Sequence, residues 1–260
     1  MKYEPIDMSA FPPEREAALR NIFRYRMFDV VLYRSSLWAH EHRVLWLTEE
    51  LLPLAQQYLT LDAEKARAIA IVHDDAEILT GDVQAGEKAR MTREQLLTVE
   101  QNEEKAIDEL SARYPEKFAG YSYRALLTHM LKKDCPEAQF VSVMDKLDAY
   151  CESLHEVLAG NISLLSSLLF YTRAMARFPM VFPTFKEFLA SNEHALLLEL
   201  VPEFGNVGPG DFSAFNRPHT AESLSAKSRF PFYDEWKRIV VARGGEEGIR
   251  WLTEAKESVQ

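Results

Sequence analysis

Two long stretches of this chain contain no proline and repeat their hydrophobic residues with the period of an α-helix. One stretch lies between Pro53 and Pro115, and the other lies between Pro136 and Pro179. Proline disrupts the interior of a helix, so its absence permits long helices, and the 3.6-residue spacing favours them. No sustained alternating pattern and no Asn-Gly hairpin signal is present. The sequence therefore predicts an all-α fold.

Capping signals and prolines place the expected boundaries. Asp62 is an expected N-cap, and the Thr-x-x-Gln pattern at residues 92–95 resembles a capping box. The expected helices are 14–27, 38–59, 62–80, 92–114, 122–132, 136–159 and 162–177, with shorter ones at 184–200, 231–242 and 246–257. Frequent prolines change the character of the chain after residue 178. We therefore expect a main domain at 1–178 and a helical extension at 179–260, packed on it to cover a pocket or to form a homodimer.

Composition limits the classes of function. The 260 residues carry a formal net charge of -10 without a long Lys/Arg run, so nucleic acid duplexes are not expected partners, although a single nucleotide held through a metal is compatible. The polar, acidic first residues do not resemble a signal peptide and no apolar stretch reaches the length of a membrane span, so neither is expected. Its two cysteines do not form a CxxC pair. These features predict a cytoplasmic protein.

An acidic segment with one histidine lies inside an apolar stretch at residues 69–77. Ile69, His73 and Glu77 are spaced four apart, so a continuous helix would place them on one inward face. Asp74 and Asp75 follow the histidine directly. Unpaired buried carboxylates are very costly, so this segment must pair its acids or bind an ion. A His-Asp pair by itself is more simply explained as a solvated turn beside a core histidine.

Two further segments add weight to this pair. Residues 40–42 read His-Glu-His, and Asp145 flanks the apolar stripe of a predicted helix. The order His, His-Asp, Asp resembles the HD superfamily and, more narrowly, its bacterial 5'-deoxynucleotidase branch. That branch has the motifs EHS, HDASEVLTGD and DAL…AGN. This chain is similar at Glu41-His42-Arg43, at HDDAEILTGDV in 73–83, and at DKLDAYCESLHEVLAGN in 145–161.

The resemblance implies an HD-domain helical bundle with one divalent cation, of the class Mn, Co, Fe, Ni or Mg. The implied metal ligands are His42, His73, Asp74 and Asp145. Glu77 would position or deprotonate the attacking water, and Asp82 would act as a second acid near the leaving group or ribose. Arg34 and Lys88 would bind phosphate. His40 is interpreted as a surface or supporting residue rather than a ligand.

The implied activity is hydrolysis of the 5'-phosphate of a (deoxy)nucleoside monophosphate. Two alternatives stay open: hydrolysis of another small phosphoester, such as a nucleoside triphosphate or an alarmone, and a catalytically silent module that binds a nucleotide. The branch also tends to carry an upstream Arg-Trp pair whose indole is associated with selecting deoxyribose. This chain reads FRYRMFDVVLYRSS there and has no tryptophan before Trp38.

Overall fold

The computed structural model describes residues 3–191, 218–227 and 230–255. Within these ranges the regular structure is helical apart from one hairpin of two short strands. The strands are β1 (Lys117–Phe118) and β2 (Tyr121–Ser122), which pair antiparallel. The prediction of an all-α fold is confirmed.

Most helices of the first 190 residues follow one another with short connections, and a longer segment, residues 22–36, separates the first two. In chain order they are α1 (Pro13–Asn21), α2 (Leu37–Ala55), α3 (Ala63–Val72), α4 (Glu77–Thr80), α5 (Ala85–Lys88), α6 (Arg93–Arg113), α7 (Tyr123–Lys132), α8 (Pro136–Leu158), α9 (Leu165–Val181) and α10 (Lys186–Leu189). Two more lie in the later described ranges, α11 (Ala221–Ser225) and α12 (Pro231–Thr253). No described helix is long and apolar enough to cross a membrane.

Local capping explains several helix starts. The Asp62 side chain accepts a hydrogen bond from the backbone N–H of Lys65 at the start of α3. Thr92 and Gln95 form the expected capping box at the start of α6. Each of these bonds satisfies a backbone donor that has no partner inside the helix.

Other boundaries differ from the sequence prediction. α1 ends at Asn21 rather than near residue 27, because Phe23 forms an antiparallel bridge with Ser36 instead of continuing the helix. In α12 the two helices expected at 231–242 and 246–257 are present, and they meet at Gly245, whose φ of 55° and ψ of -134° are not helical. Most of the helix expected at 184–200 lies outside the described residues.

The chain divides into two compact units whose segments alternate along the sequence. The first unit comprises residues 1–24, 35–52 and 60–142, and the second comprises 25–34, 53–59 and 143–260. The first therefore contains α1, α3 to α7, the hairpin and most of α2. The predicted domain boundary near residue 178 stays a prediction.

Each unit has its own buried core. In the first unit the core includes Leu47, Ile69 and Leu126, and in the second it includes Leu154 and Trp236. The Trp236 indole N–H donates to Asp148 Oδ1 at 2.7 Å, so this buried donor is satisfied.

Candidate metal centre

The four-residue hydrogen-bond pattern of an α-helix is interrupted between α3 and α4. α3 ends at Val72, His73 is its C-cap, and residues 74–76 form a turn before Glu77 begins α4. The backbone N–H of Glu77 donates to Asp74 O at 2.8 Å, a bond of three residues rather than the four of an α-helix. The predicted continuous helix over 62–80 is therefore wrong here, and His73 and Glu77 do not lie along one helical face.

Three metal-ligating atoms of α2 and this turn lie close together. His73 Nε2 is 3.3 Å from His40 Nε2 and 3.3 Å from Asp74 Oδ2. His40 Nε2 is 3.5 Å from the same carboxylate oxygen. His73 Nδ1 lies 2.8 Å from Ala70 O, which requires the proton on Nδ1 and leaves the lone pair of a neutral imidazole on Nε2.

This donor set fits one divalent cation. Metal–nitrogen bonds of about 2.0–2.1 Å would place neighbouring ligands of one ion about 3.0–3.4 Å apart. The three observed separations are 3.3, 3.3 and 3.5 Å. Two imidazoles and a carboxylate suit Mn, Fe, Co or Ni. Both histidines are buried, and the Asp74 side chain is 17% exposed, so a ligand could still approach the group.

The structure places His42 outside this group. His42 Nδ1 is 2.8 Å from Trp38 O, and its ring lies 4.2 Å from the Trp38 ring and 6.1 Å from the Trp46 ring. Residues two apart on a helix point about 200° apart, so α2 can offer only one of its two histidines to the turn after α3. The residue that lies with His73 and Asp74 is His40, and a ligand role for His42 stays a prediction from the sequence motif.

Asp145, the last predicted ligand, belongs to the second unit and lies on α8. Its side chain is largely buried, and Lys146 Nζ donates to its Oδ2. Its role as a metal ligand stays a prediction from the sequence motif.

Two carboxyl groups near the turn are shifted toward their protonated forms. Burial raises the pKa of Glu77 well above its ordinary value of 4.5, and the nearby Asp74 and Asp82 raise it further. Burial likewise raises the pKa of Asp82 above 3.8, while Arg24 acts in the opposite direction. Among the described residues, Glu77 Oε2 is buried with no hydrogen-bond partner. An acceptor of this kind is available to a water or a substrate.

Arg24 is a cation of this site that the sequence interpretation missed. It is buried, and its Nη1 lies 3.9 Å from Asp74 Oδ2. Its charge also acts on Glu77 and Asp82, lowering the pKa of each. Its backbone N–H donates to Ser35 O at 3.0 Å, which brings this residue beside the segment that leads into α2. The signal was present in the sequence, because Arg24 is followed by an aromatic residue, as in the Arg-Trp pair of the similar branch.

The two predicted phosphate-binding cations have other observed contacts. Lys88 Nζ pairs with Glu103 Oε1 at 2.7 Å, and its charge lowers the pKa of Glu77. Arg34 belongs to the second unit, where its Nη2 donates to Phe28 O at 2.8 Å. Roles for both in substrate binding stay predictions.

Several known proteins and one protein family are similar to this chain. A family model described as 5'-deoxynucleotidase YfbR-like matches residues 17–188. A 5'-deoxynucleotidase of Vibrio parahaemolyticus is 30% identical over 105 residues, which are 39% of this chain and 51% of that protein. The chain thus matches about half the length of this curated relative.

Two solved structures share the fold. A protein of Pyrococcus horikoshii has a TM-score of 0.57 and 20% identity, covering 73% of this chain and 99% of that one. An HD-domain phosphohydrolase of Listeria innocua has a TM-score of 0.50 and 19% identity, covering 75% and 96% respectively. At these identities the likeness supports the fold alone.

Proposed function

Because the chain belongs to the YfbR-like 5'-deoxynucleotidase family, we propose that it is a metal-dependent hydrolase of the 5'-phosphate of a (deoxy)nucleoside monophosphate. The observation that carries the proposal is the group of His40, His73 and Asp74, whose ligand atoms lie within 3.5 Å of one another. The sequence motif adds Asp145 as a further ligand. When bound, a divalent cation lowers the pKa of a water and polarises a phosphoryl oxygen.

The protein groups around the ligands supply the acid, base and charge that the reaction needs. We assign to Glu77 the role of orienting the attacking water and accepting its proton, and its Oε2, which has no partner among the described residues, supports this assignment. A raised pKa makes Glu77 a stronger base once it is ionised, and the positive charge of Arg24 opposes excessive protonation. We assign to Asp82 the role of the acid that donates to the O5' leaving oxygen as the P–O bond breaks, and the raised pKa of its carboxyl group supports this role.

Positive charge is needed to bind and neutralise the phosphoryl group. Arg24 is buried within reach of Asp74, so it is well placed to form charge-assisted bonds to a phosphate that approaches the cation. The chain carries Arg24-Tyr25 where the similar branch has Arg-Trp. We therefore expect hydrolysis of both ribo- and deoxyribonucleotides, with a weaker sugar preference than an Arg-Trp pair would give.

The test is phosphate release from a panel of ribo- and deoxyribonucleoside 5'-monophosphates with Mn or Co, using Glu77→Gln as the inactive control. We expect inorganic phosphate and the nucleoside as products. Release of pyrophosphate or triphosphate from nucleoside triphosphates would instead indicate another phosphoester. A protein that binds metal but hydrolyses no phosphoester would indicate a silent nucleotide-binding module and refute the proposal.

A further inference from the structure

Arg15, a buried residue of α1, contacts both segments that carry the proposed ligands: α2, and the end of α3 with the turn that follows it. Arg15 Nε donates to Asp75 Oδ2 at 2.9 Å, and its Nη2 donates to Glu41 Oε2 at 3.0 Å and to Ile71 O at 2.7 Å. The arginine and both carboxyl side chains are at most 1% exposed. The guanidinium also lies 4.8 Å from the centre of the Phe11 ring.

The contacts of Arg15 are adjacent in sequence to the ligands. Glu41 directly follows His40, and Asp75 directly follows Asp74. Ile71 O belongs to the last turn of α3, where carbonyl groups have no intrahelical partner. One guanidinium therefore ties α2 to the turn that carries the other two ligands. It also satisfies a carbonyl at the point where α3 ends.

Tyr123 completes this buried network from α7. Its hydroxyl donates to Asp75 Oδ2 at 2.7 Å, the same oxygen that accepts from Arg15. Asp75 is thereby held by two donors from different helices. Residues 74–76 form a turn with three-residue backbone hydrogen bonds, and these side-chain contacts join that turn to α1 and α7.

Stability alone gives little reason for this network. Buried ion pairs are often no better than apolar residues of similar volume, because desolvation offsets their attraction. The similar 5'-deoxynucleotidase motif has Ala after His-Asp, whereas this chain has Asp75 after Asp74. Glu41, Asp75 and Arg15 thus form one buried cluster of charged side chains directly beside the proposed metal ligands.

We propose that Arg15 is a positioning residue that sets the separation of His40 from His73 and Asp74, and thereby the affinity for the catalytic metal. This inference rests on the proposed function in that the metal is the one used for phosphate ester hydrolysis. Outer contacts that orient metal ligands are typically worth about 10–100-fold in metal affinity. Arg15 acts through its contacts with Glu41, Asp75 and Ile71 and does not need to touch the substrate.

The primary test compares Arg15→Lys with Arg67→Lys. Arg67 is a matched control because it is also buried and also joins α3 to α2, through Glu49 Oε1 at 2.8 Å, but none of its contacts flanks a ligand. Lysine keeps the charge in both variants and loses the fork of donors. Metal affinity is measured by Co titration of the folded proteins, with circular dichroism and thermal unfolding of the metal-free forms as folding controls.

We expect Arg15→Lys to weaken metal binding about 10–100-fold, with the KM for substrate unchanged at saturating metal. Arg67→Lys should lower thermal stability without changing metal affinity. If the two variants lose metal affinity equally, or if Arg15→Lys binds metal as the wild type does, the proposal is wrong. Metal titration does not require turnover, so a wild type that binds metal but releases no phosphate would refute the proposed function while leaving this inference testable.

A gentler pair of variants applies if Arg15→Lys does not fold. Tyr123→Phe removes the hydroxyl that bonds Asp75, and Tyr121→Phe removes a hydroxyl that bonds Asp62 Oδ2 at the same distance of 2.7 Å. We expect weaker metal binding in Tyr123→Phe and wild-type binding in Tyr121→Phe. Equal metal affinity in the two variants would contradict a role for this network in positioning the ligands.

Discussion

Replacing each of the two histidines of α2 in turn tests which of them binds the metal. The structure favours His40, whereas the sequence motif pointed to His42. The variants are His40→Ala and His42→Ala. His40 Nε2 lies 3.3 Å from His73 Nε2 and 3.5 Å from Asp74 Oδ2, whereas the ring of His42 lies beside two tryptophans of its own helix. Loss of His40 should therefore reduce metal affinity, and loss of His42 should reduce mainly packing.

The expected magnitudes differ enough to be measured. A four-ligand protein site gains about 10–16 kcal/mol on binding zinc, or about 3 kcal/mol for each ligand. Since about 1.4 kcal/mol is tenfold, His40→Ala should weaken binding by roughly 100-fold. For His42→Ala we expect wild-type affinity and a loss of about 0.5–1.5 kcal/mol in unfolding free energy, from the aromatic contacts with Trp38.

Competition between each variant and a chromogenic chelator for Co or Mn measures the affinities. Urea unfolding of the metal-free proteins measures their stabilities and shows that both variants fold. If metal binding falls with His42→Ala and survives His40→Ala, the ligand group formed by His40, His73 and Asp74 is the wrong one. An equal fall in both would mean that each acts through the fold of α2 rather than by ligation.

Four further predictions follow from particular contacts. Glu77→Gln should lower kcat by about 10²–10⁴-fold with metal affinity retained, because it removes the proton acceptor alone. Steady-state kinetics with a parallel metal titration checks this, and an unchanged kcat would exclude Glu77 as the base. Removal of a cation present at about 100 times its Kd should lower the free energy of unfolding by about 2.7 kcal/mol and Tm by roughly 5–10 °C. Thermal unfolding with and without EDTA measures this, and a Tm insensitive to EDTA and to added Mn would argue against the metal centre. Partial burial raises the pKa of Glu137, but backbone N–H donors, that of Asp62 first among them, and the charge of Lys65 together hold it below 4.5. Its stabilisation is therefore present above pH 4.5 and is lost as the pH falls through the lowered pKa. Glu137→Gln should flatten the acid dependence of urea unfolding, and an unaltered slope would contradict this. Gly248→Ala should destabilise the protein by about 1–3 kcal/mol, since a Cβ there would overlap the carbonyl oxygen of Val240 across the kink in α12, and a chemical denaturation midpoint equal to that of the wild type would rule this out.

Helix starts were predictable wherever a local signal decides them. Asp62 and Thr92 cap helices as expected, because a capping side chain and the backbone donor that it satisfies lie within three residues of each other. The end of α1 was not predictable in this way. It depends on the bridge between Phe23 and Ser36, which joins segments that a helical pattern treats as independent.

The break after α3 could not be predicted from periodicity, because partners distant in sequence stabilise it. Apolar spacing continues through residue 78 and favours one helix. In the structure the Asp75 side chain instead accepts from Arg15, 60 residues earlier, and from Tyr123, 48 residues later. These contacts compensate the chain for the helical bonds that the turn gives up, and they are visible only once the tertiary fold is known.

Which of His40 and His42 joins the ligand group also depends on a segment distant in sequence. From Arg43 to Glu49 every residue of α2 is buried, so the helix has no single apolar stripe that would identify the inward histidine. Motif order also cannot decide, because it fixes neither which histidine aligns with the first ligand nor which face it occupies. The deciding feature is the turn after α3, which presents His73 Nε2 and Asp74 Oδ2 to one side of α2. His40 lies on that side, so a metal ligand on α2 is determined by the residues of another segment rather than by its own neighbours.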